Sequence, residues 1–364
     1  MTAHTPPSTA SAVWLVAERE IGSKLRSKAF VISALITFAL VLAGVLFSGF
    51  SAQNAGGEAT RVAATPLVAA ELTELGFEVT EVADRAAAEA AVRDGSVDGA
   101  VIGGGDTVLD LTVIGLEEAP GDVIGALSVS PTVEVLEVPE QNPFLVYLVG
   151  IGFGIVFMMS AVTFGATIAQ SVVEEKQTRI VEILMAAVPV RQLLAGKILG
   201  NSILAIGQVI IILAIAAVGL LATGQDLILG ELGESLVWFG VFFAFGFVLL
   251  ASLFATAASL VSRQEDVGSV TSPLMMLIMV PYLLVIMFSD NALVMGVMSY
   301  VPFSAPVGMP MRLFLGTAEW WEPLLSLAIL LVSTGLVILL GAKIYSNSIL
   351  RTGARVSLRD ALAA

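Results

Sequence analysis

Six stretches of this chain are long, apolar and free of acids and bases, and no other feature restricts the fold so tightly: 29–50, 144–169, 198–223, 236–261, 269–288 and 324–342. Each is long enough to cross a hydrocarbon core of about 30 Å as a helix. Lipid offers backbone N–H and C=O groups no partners, so a segment of this kind must satisfy them within itself. Composition agrees. The 364 residues are 57% hydrophobic and 13% charged, with a mean hydropathy of +0.94, far outside the range of soluble domains. The expected fold class is an α-helical integral membrane protein with six transmembrane helices and an extracytoplasmic α/β domain between the first and second.

The placement of charge gives the orientation. The net charge is −14, yet residues 51–143 hold 17 of the 31 acids and only Arg61, Arg85 and Arg93 as bases. The N-terminal segment, the 170–197 and 262–268 loops, and the C-terminal tail together with Lys343 just before it hold 13 of the 17 Lys and Arg residues. Basic loops stay on the cytoplasmic side, so both termini are expected inside a cell membrane and the acidic block outside. The division that follows is a cytoplasmic amphipathic helix at 1–28, a first span at 29–50 and an extracytoplasmic α/β domain at 51–143. A five-helix region follows at 144–346, with a cytoplasmic loop at 170–197 and an outer re-entrant segment at 290–322, and then a basic tail at 347–364. With no cysteine, the outer domain must rest on its core alone. His4, the lone histidine, reads as a bystander in a terminal lead.

Ser11 reads as the N-cap of a helix that gathers Trp14, Ile21 and Leu25 on one side and lies along the inner membrane surface. The outer block alternates strands at 61–65, 76–82, 98–102, 108–114 and 132–138 with helices at 66–75, 84–94 and 121–127, the pattern of a small α/β domain. Gly103, Gly104 and Gly105 join two strands with no Lys-Ser or Lys-Thr after them, so they read as a turn and not as a phosphate loop.

A long charged segment is set between two of the apolar runs, VVEEKQTRIVEILMAAVPVRQLLAGKILG at 172–200. As a helix over 171–187 it places Glu175, Arg179, Glu182 and Ala186 on one face and Ile180, Ile183, Leu184 and Ala187 on the other. Glu175 and Arg179 have the favourable four-residue spacing, and Pro189 ends the helix. Arg191 and Lys197 then hold their charges at the membrane surface. The segment reads as a cytoplasmic elbow with a partner to meet, or as a solvated loop.

Within the spans, Gly150, Gly152, Gly154, Ala161 and Gly165 form a small-residue stripe for internal packing or for a second copy of the chain. Asn201 and Gln208 share one side of the third span and serve helix packing or a translocation path. Pro273 and Pro281 kink the fifth span, for an opening cleft or as a static bend. Pro302, Pro306 and Arg312 belong to an apolar, broken segment that ends at Trp320 and Trp321. There Arg312 is a salt-bridge partner, a lipid-phosphate anchor or a substrate contact, the first two being preferred.

The run EEKQTRIVEILMAAVPVRQLLAGKILG at 174–200 resembles the first cytoplasmic loop of type-2 ABC transporter permeases, in particular their sodium-extrusion, NatB-like branch. The N-terminal helix, VPFSAPVGMPMR at 301–312 and the tail with Arg351, Arg355 and Arg359 resemble the same family. It departs at Gln177, where many members carry a second acid, and at Ala186 and Ala187, where small hydroxyl residues are frequent. The resemblance implies that the loop docks on a separate ABC ATPase subunit through Glu174, Glu175, Lys176, Arg179, Glu182 and Arg191. It also implies a second permease copy and efflux of sodium or of an amphipathic, drug-like substrate.

No G-x-x-x-x-G-K-[ST] run occurs, and Gly196-Lys197 is followed by Ile198, so ATP hydrolysis is expected on another chain. The chain itself is not expected to be an enzyme: it lacks cysteine, has one histidine and carries no acid within the six stretches. An ion-coupled carrier is the alternative transporter, disfavoured because no ionisable residue falls mid-span. A membrane sensor is disfavoured by the lack of a cytoplasmic output domain. Membrane lipid is expected as a partner, nucleic acid is not, and no cofactor or metal site is expected.

Overall fold

The computed structural model describes residues 8–54, 60–103, 111–116, 123–124, 127, 143–224, 226–351 and 356–363. Two compact units result, one from residues 50–138 and the other from the rest of the chain. Among the described residues six helices have the length and apolarity to cross a membrane.

The smaller unit contains β1 (Arg61–Ala64), α3 (Pro66–Glu74), β2 (Glu78–Glu81), α4 (Arg85–Arg93), β3 (Gly99–Gly103) and β4 (Leu111–Ile114). The sheet order is β2-β1-β3-β4, with β1 parallel to β2 and β3 and β4 antiparallel to β3. Alternation along β1 builds two cores. Val62 and Ala64 pack with Val68, Ala69 and Leu72 of α3, while Ala63 packs with Ala88 and Val92 of α4. Successive strand residues point to opposite faces, so one helix covers each face of the sheet. Gly76 and Gly95, at φ +90° and +75°, terminate the two helices in the left-handed conformation that glycine adopts without strain. Of the expected helix at 121–127 only residues 123–124 and 127 are described, and these are helical, while the strand at 132–138 and most of the glycine turn lie outside the described residues.

The larger unit begins with α1 (Thr9–Leu25) and α2 (Lys28–Asn54). It resumes with α5 (Pro143–Gln177), α6 (Ile180–Ala187), α7 (Val190–Ala222) and α8 (Asp226–Ser259). After a short 3-10 turn come α9 (Val267–Met287), α10 (Ala292–Met298), α11 (Ala305–Phe314), α12 (Glu322–Ser348) and α13 (Leu358–Ala363). The N-cap of α1 is Ser8, whose hydroxyl accepts from the Ser11 N–H, so Ser11 lies inside the helix and not at its cap.

Helix α8 is the hub, packed against α5, α7, α9, α11 and α12. Its Phe239, Phe243 and Phe247 recur every four residues and so share one face. They meet Phe153, Phe157 and Phe164 of α5 at ring-centroid distances of 4.6, 6.0 and 5.7 Å. All six rings are buried, and such contacts replace the hydrophobic drive that lipid does not supply between helices.

Three glycines of the α5 stripe, Gly150, Gly154 and Gly165, pack internally. A Cβ on Gly154 would collide with the Tyr282 ring of α9, and one on Gly165 would lie 2.6 Å from Phe254 of α8. Gly150 faces Met311, whereas Gly152 faces open space. Helix α9 continues through Pro273, which is exposed, and Pro281, which is half-buried.

Candidate functional site

The charged segment folds differently from a single amphipathic helix. Helix α5 stops at Gln177 and α6 starts at Ile180, with Arg179 between them at φ +58°. Arg179 is the sole positive-φ non-glycine residue among those described, a conformation costing ~1–2 kcal/mol for a residue with a Cβ. Thr178 donates both its N–H and its hydroxyl to Glu174 O, at 3.0 and 2.7 Å, which closes the last turn of α5. Glu175 and Arg179 therefore do not form the expected four-residue pair.

Instead, Glu175 faces inward. Its Oε1 accepts from Arg19 Nη2 at 2.6 Å and lies 3.0 Å from Lys197 Nζ. Lys197 also donates to Glu20 Oε1 at 2.9 Å and to Ser171 Oγ at 2.6 Å, while Arg19 reaches Glu20 at 3.0 Å. Two acids and two bases from α1, α5 and α7 thus make one compact cluster. Lys197, Glu20 and Glu175 are buried, so each charge depends on the others for the solvation it has lost. Burial pushes the Glu20 carboxyl up, but Lys197 and Arg19 outweigh it and hold the group below its usual range.

Lys176 is buried beside this cluster without a carboxylate. Its Nζ donates to Ser259 O at 2.6 Å and to Ser348 O at 3.0 Å. These carbonyls end α8 and α12, where the last C=O groups lack helical partners and the helix dipole is negative. One ammonium therefore closes two helix ends. Near the cluster, Glu175 Oε2 and Tyr345 Oη are buried and unpaired among the described residues.

The cluster also fixes α1. A Cβ at Gly196 of α7 would collide with Val16, and one at Gly200 would come within 2.8 Å of Ala17 O, so the two glycines let α1 lie directly on α7. Ala12, Val16, Ala17 and Glu20 form the buried face, leaving Trp14, Leu15 and Leu25 exposed on the other sides. The sequence signal was the Gly-x-x-x-Gly spacing at 196–200 with Lys197 inside it, and its partner residues lie about 180 positions earlier.

What remains outward-facing is α6. Glu174, Arg179, Ile180, Glu182, Ile183, Ala186 and Ala187 are exposed, Ile183 at 73%, and Val181 is the buried anchor. Among the described residues Arg179 and Glu182 make no ion pair. Arg191, in the first turn of α7, is also exposed. Asn201 is buried and donates to Lys197 O of its own helix, and Gln208 is half-buried farther along α7.

At the other end of α9 lie α10 and α11, the short broken helices expected at 290–322. Pro306 packs on Gly246 of α8, and Pro302 sits half-buried in the turn before α11. Arg312 is buried and bound at both nitrogens to Glu322, at 3.0 and 2.7 Å, with Ser299 Oγ and Thr317 O completing its partners. Tyr300 donates to the same carboxylate at 2.7 Å. Arg312 is thus the salt-bridge partner of the three roles expected for it.

Six helices long and apolar enough to cross a membrane support a multi-pass membrane protein. The ABC-2 family transporter model matches residues 121–343, more than half of the chain, and the chain belongs to that family. Membership supports a membrane permease component of an ABC transporter. The chain is 29% identical to the uncharacterized protein MJ1024 of Methanocaldococcus jannaschii over 58% of its length, and 30% identical to the uncharacterized protein YhaP of Bacillus subtilis over 55%. It spans about half the length of each, 52% in both cases. No solved structure matches.

Proposed function

We propose that the chain is the permease subunit of an ATP-driven exporter, with α6 as the element on which a separate ABC ATPase chain docks. The observation that carries this reading is the exposure of α6. Ile180 and Ile183 sit in open view beside Glu182 and Arg179, in a charged break between two membrane-length helices, with a covalent link to α5 on one side and α7 on the other. Apolar anchors with flanking charge are what a protein interface needs.

The coupling residues sort by role. Glu174, Arg179, Glu182 and Arg191 are surface groups available to an ATPase, whereas Glu175 and Lys176 transmit. When ATP draws two ATPase chains together, α6 moves. The Glu175–Lys197–Glu20–Arg19 cluster carries that displacement to α1 and α7, and Lys176 carries it to the ends of α8 and α12. Helix α9, locked to α5 through Gly154 and Tyr282, follows, so a cleft between spans exchanges inward and outward opening. Two permease copies assemble with two ATPases in the cell membrane, termini inside and the 51–143 domain outside. The cargo is sodium or an amphipathic molecule. An apolar bundle with no mid-helix charge suits the amphipathic molecule better, since a dehydrated cation would find only hydroxyls, amides and carbonyls.

The natural lack of cysteine supplies the test. A single cysteine at Glu182 or Ile183, in the full chain expressed in its native host, is treated with a thiol crosslinker and the captured chain is sequenced. Capture of a protein with Walker motifs supports the reading. Full reactivity of the cysteine with a small cytoplasmic thiol reagent, together with no ATPase captured at either position, overturns it.

A further inference from the structure

A cavity of about 630 Å³ opens between the first half of α7 and the last half of α12. Leu194 and Ile198 form one wall, Leu339 the other, and Arg191, Lys343 and Asn347 are also part of its lining. Both helices are long and apolar enough to cross a membrane, so a groove between them is within reach of acyl chains. Both cations are exposed, and among the described residues neither has an acidic partner. Leu194 and Ile198 have only 3% and 7% exposure, so the α7 wall is the deeper one, whereas Leu339 on the α12 wall is 71% exposed.

Apolar walls under a pair of unneutralised cations suit a ligand with a hydrocarbon body and an anionic head. We infer that this cavity is a binding site for an anionic phospholipid of the cytoplasmic leaflet, its phosphate between Arg191 and Lys343 and one acyl chain along Leu194, Ile198 and Leu339. The inference rests on the orientation proposed above, which puts these ends of α7 and α12 at the inner surface. The tail helix α13 is not the occupant, because it is already seated on Leu260 and Ile344, with Ala361 O accepting from Asn347 Nδ2 at 2.8 Å. Charge argues against a zwitterionic lipid, whose head offers the two cations no net charge. Basic pockets between spans on the cytoplasmic side are a recognised way of holding such lipids. Because Arg191 stands one turn beyond α6 along the chain, a lipid fixed there would brace the segment that meets the ATPase.

The test titrates the purified full chain in detergent with phosphatidylglycerol or phosphatidylethanolamine and counts bound lipid by native mass spectrometry. Phosphatidylglycerol is expected to bind the wild type with preference. The double variant Arg191→Gln/Lys343→Gln is expected to bind it ~25-fold more weakly, the loss of two surface cations at about 1 kcal/mol each. Arg191→Lys/Lys343→Arg keeps the charge and is expected to restore most of the affinity. Ala342→Trp narrows the cavity without changing charge and is expected to reduce binding as well; a monodisperse elution profile for each variant excludes misfolding. Equal affinity for the two lipids, or phosphatidylglycerol affinity unchanged in both the double variant and Ala342→Trp, overturns the inference. Efficient disulfide pairing of Ala195→Cys chains with each other in place of lipid binding also overturns it, since the groove would then be filled by a second copy. None of these readouts involves an ATPase, so they fail or succeed separately from the crosslinking experiment.

Discussion

Lys197 and Glu20 are bonded at 2.9 Å although 177 residues separate them in the chain. Lys197 is 1% exposed and stands with Glu175 as well, so deleting its charge leaves two buried carboxylates with only the half-exposed Arg19. Removing one partner of a buried ion pair costs about 3–5 kcal/mol because the remaining charge is uncompensated. Lys197→Met is therefore expected to lose about that much stability in reversible detergent unfolding. Glu20→Gln combined with Lys197→Met is expected to recover part of it. Equal losses in the single and double variants would show that the pair does not act as a unit.

The same cluster predicts an acid limit. Lys197 and Arg19 hold the Glu20 carboxyl below its ordinary value despite burial. A lowered folded-state pKa means that the stabilisation is fully present above the unfolded value, about 4.3 for a glutamate, and disappears as pH falls through the folded value. The stability gap between wild type and Glu20→Gln is expected to be constant from neutral pH to about 5 and to close below about 4. Thermal midpoints of both proteins across that range measure it, and a gap that widens in acid contradicts the assignment.

Arg179 separates two roles that the surrounding residues combine. Its φ of +58° favours glycine, while its exposed guanidinium is free for a partner. Arg179→Gly is expected to leave stability equal or raised by up to ~1 kcal/mol, yet to weaken co-purification of an ATPase. Glu182→Arg and Ile183→Asp are expected to act on docking alone, each by about 1–3 kcal/mol in affinity if they lie in the interface centre. Normal membrane insertion with unchanged co-purification in all three would remove α6 from the interface.

These variants also mark where local sequence reading ends. The six spans were legible because a run of about 20 uncharged apolar residues has few other fates. The βα alternation at 61–103 was legible because alternation and helical periodicity are local. Glu175 and Lys176 were not, since the i, i+4 rule sees only Arg179 and knows nothing of Glu20, Lys197, Ser259 or Ser348. A charge on an elbow reads as solvated until a distant helix supplies its partner. Arg312 shows the favourable case. Its lone positive charge on an apolar outer segment required a nearby partner, and Glu322 was ten residues away.

The glycines of α5 distinguish packing within one chain from packing between two. Gly154 accommodates the Tyr282 ring so closely that any Cβ would collide with it, while Gly152, two residues earlier, has open space. Overpacking of a filled interior costs ~1–3 kcal/mol. Gly154→Ala is expected to destabilise the isolated chain by that amount, and Tyr282→Ala in the same chain to relieve much of it. Gly152→Leu has no internal neighbour to displace, so it is expected to leave the unfolding midpoint of the monomer unchanged. If a second permease copy packs on this side of α5, Gly152→Leu must instead shift the monomer–dimer equilibrium, which light scattering in detergent or nanodiscs reads directly. An unchanged equilibrium would place the second copy on another face of the bundle, away from this stripe.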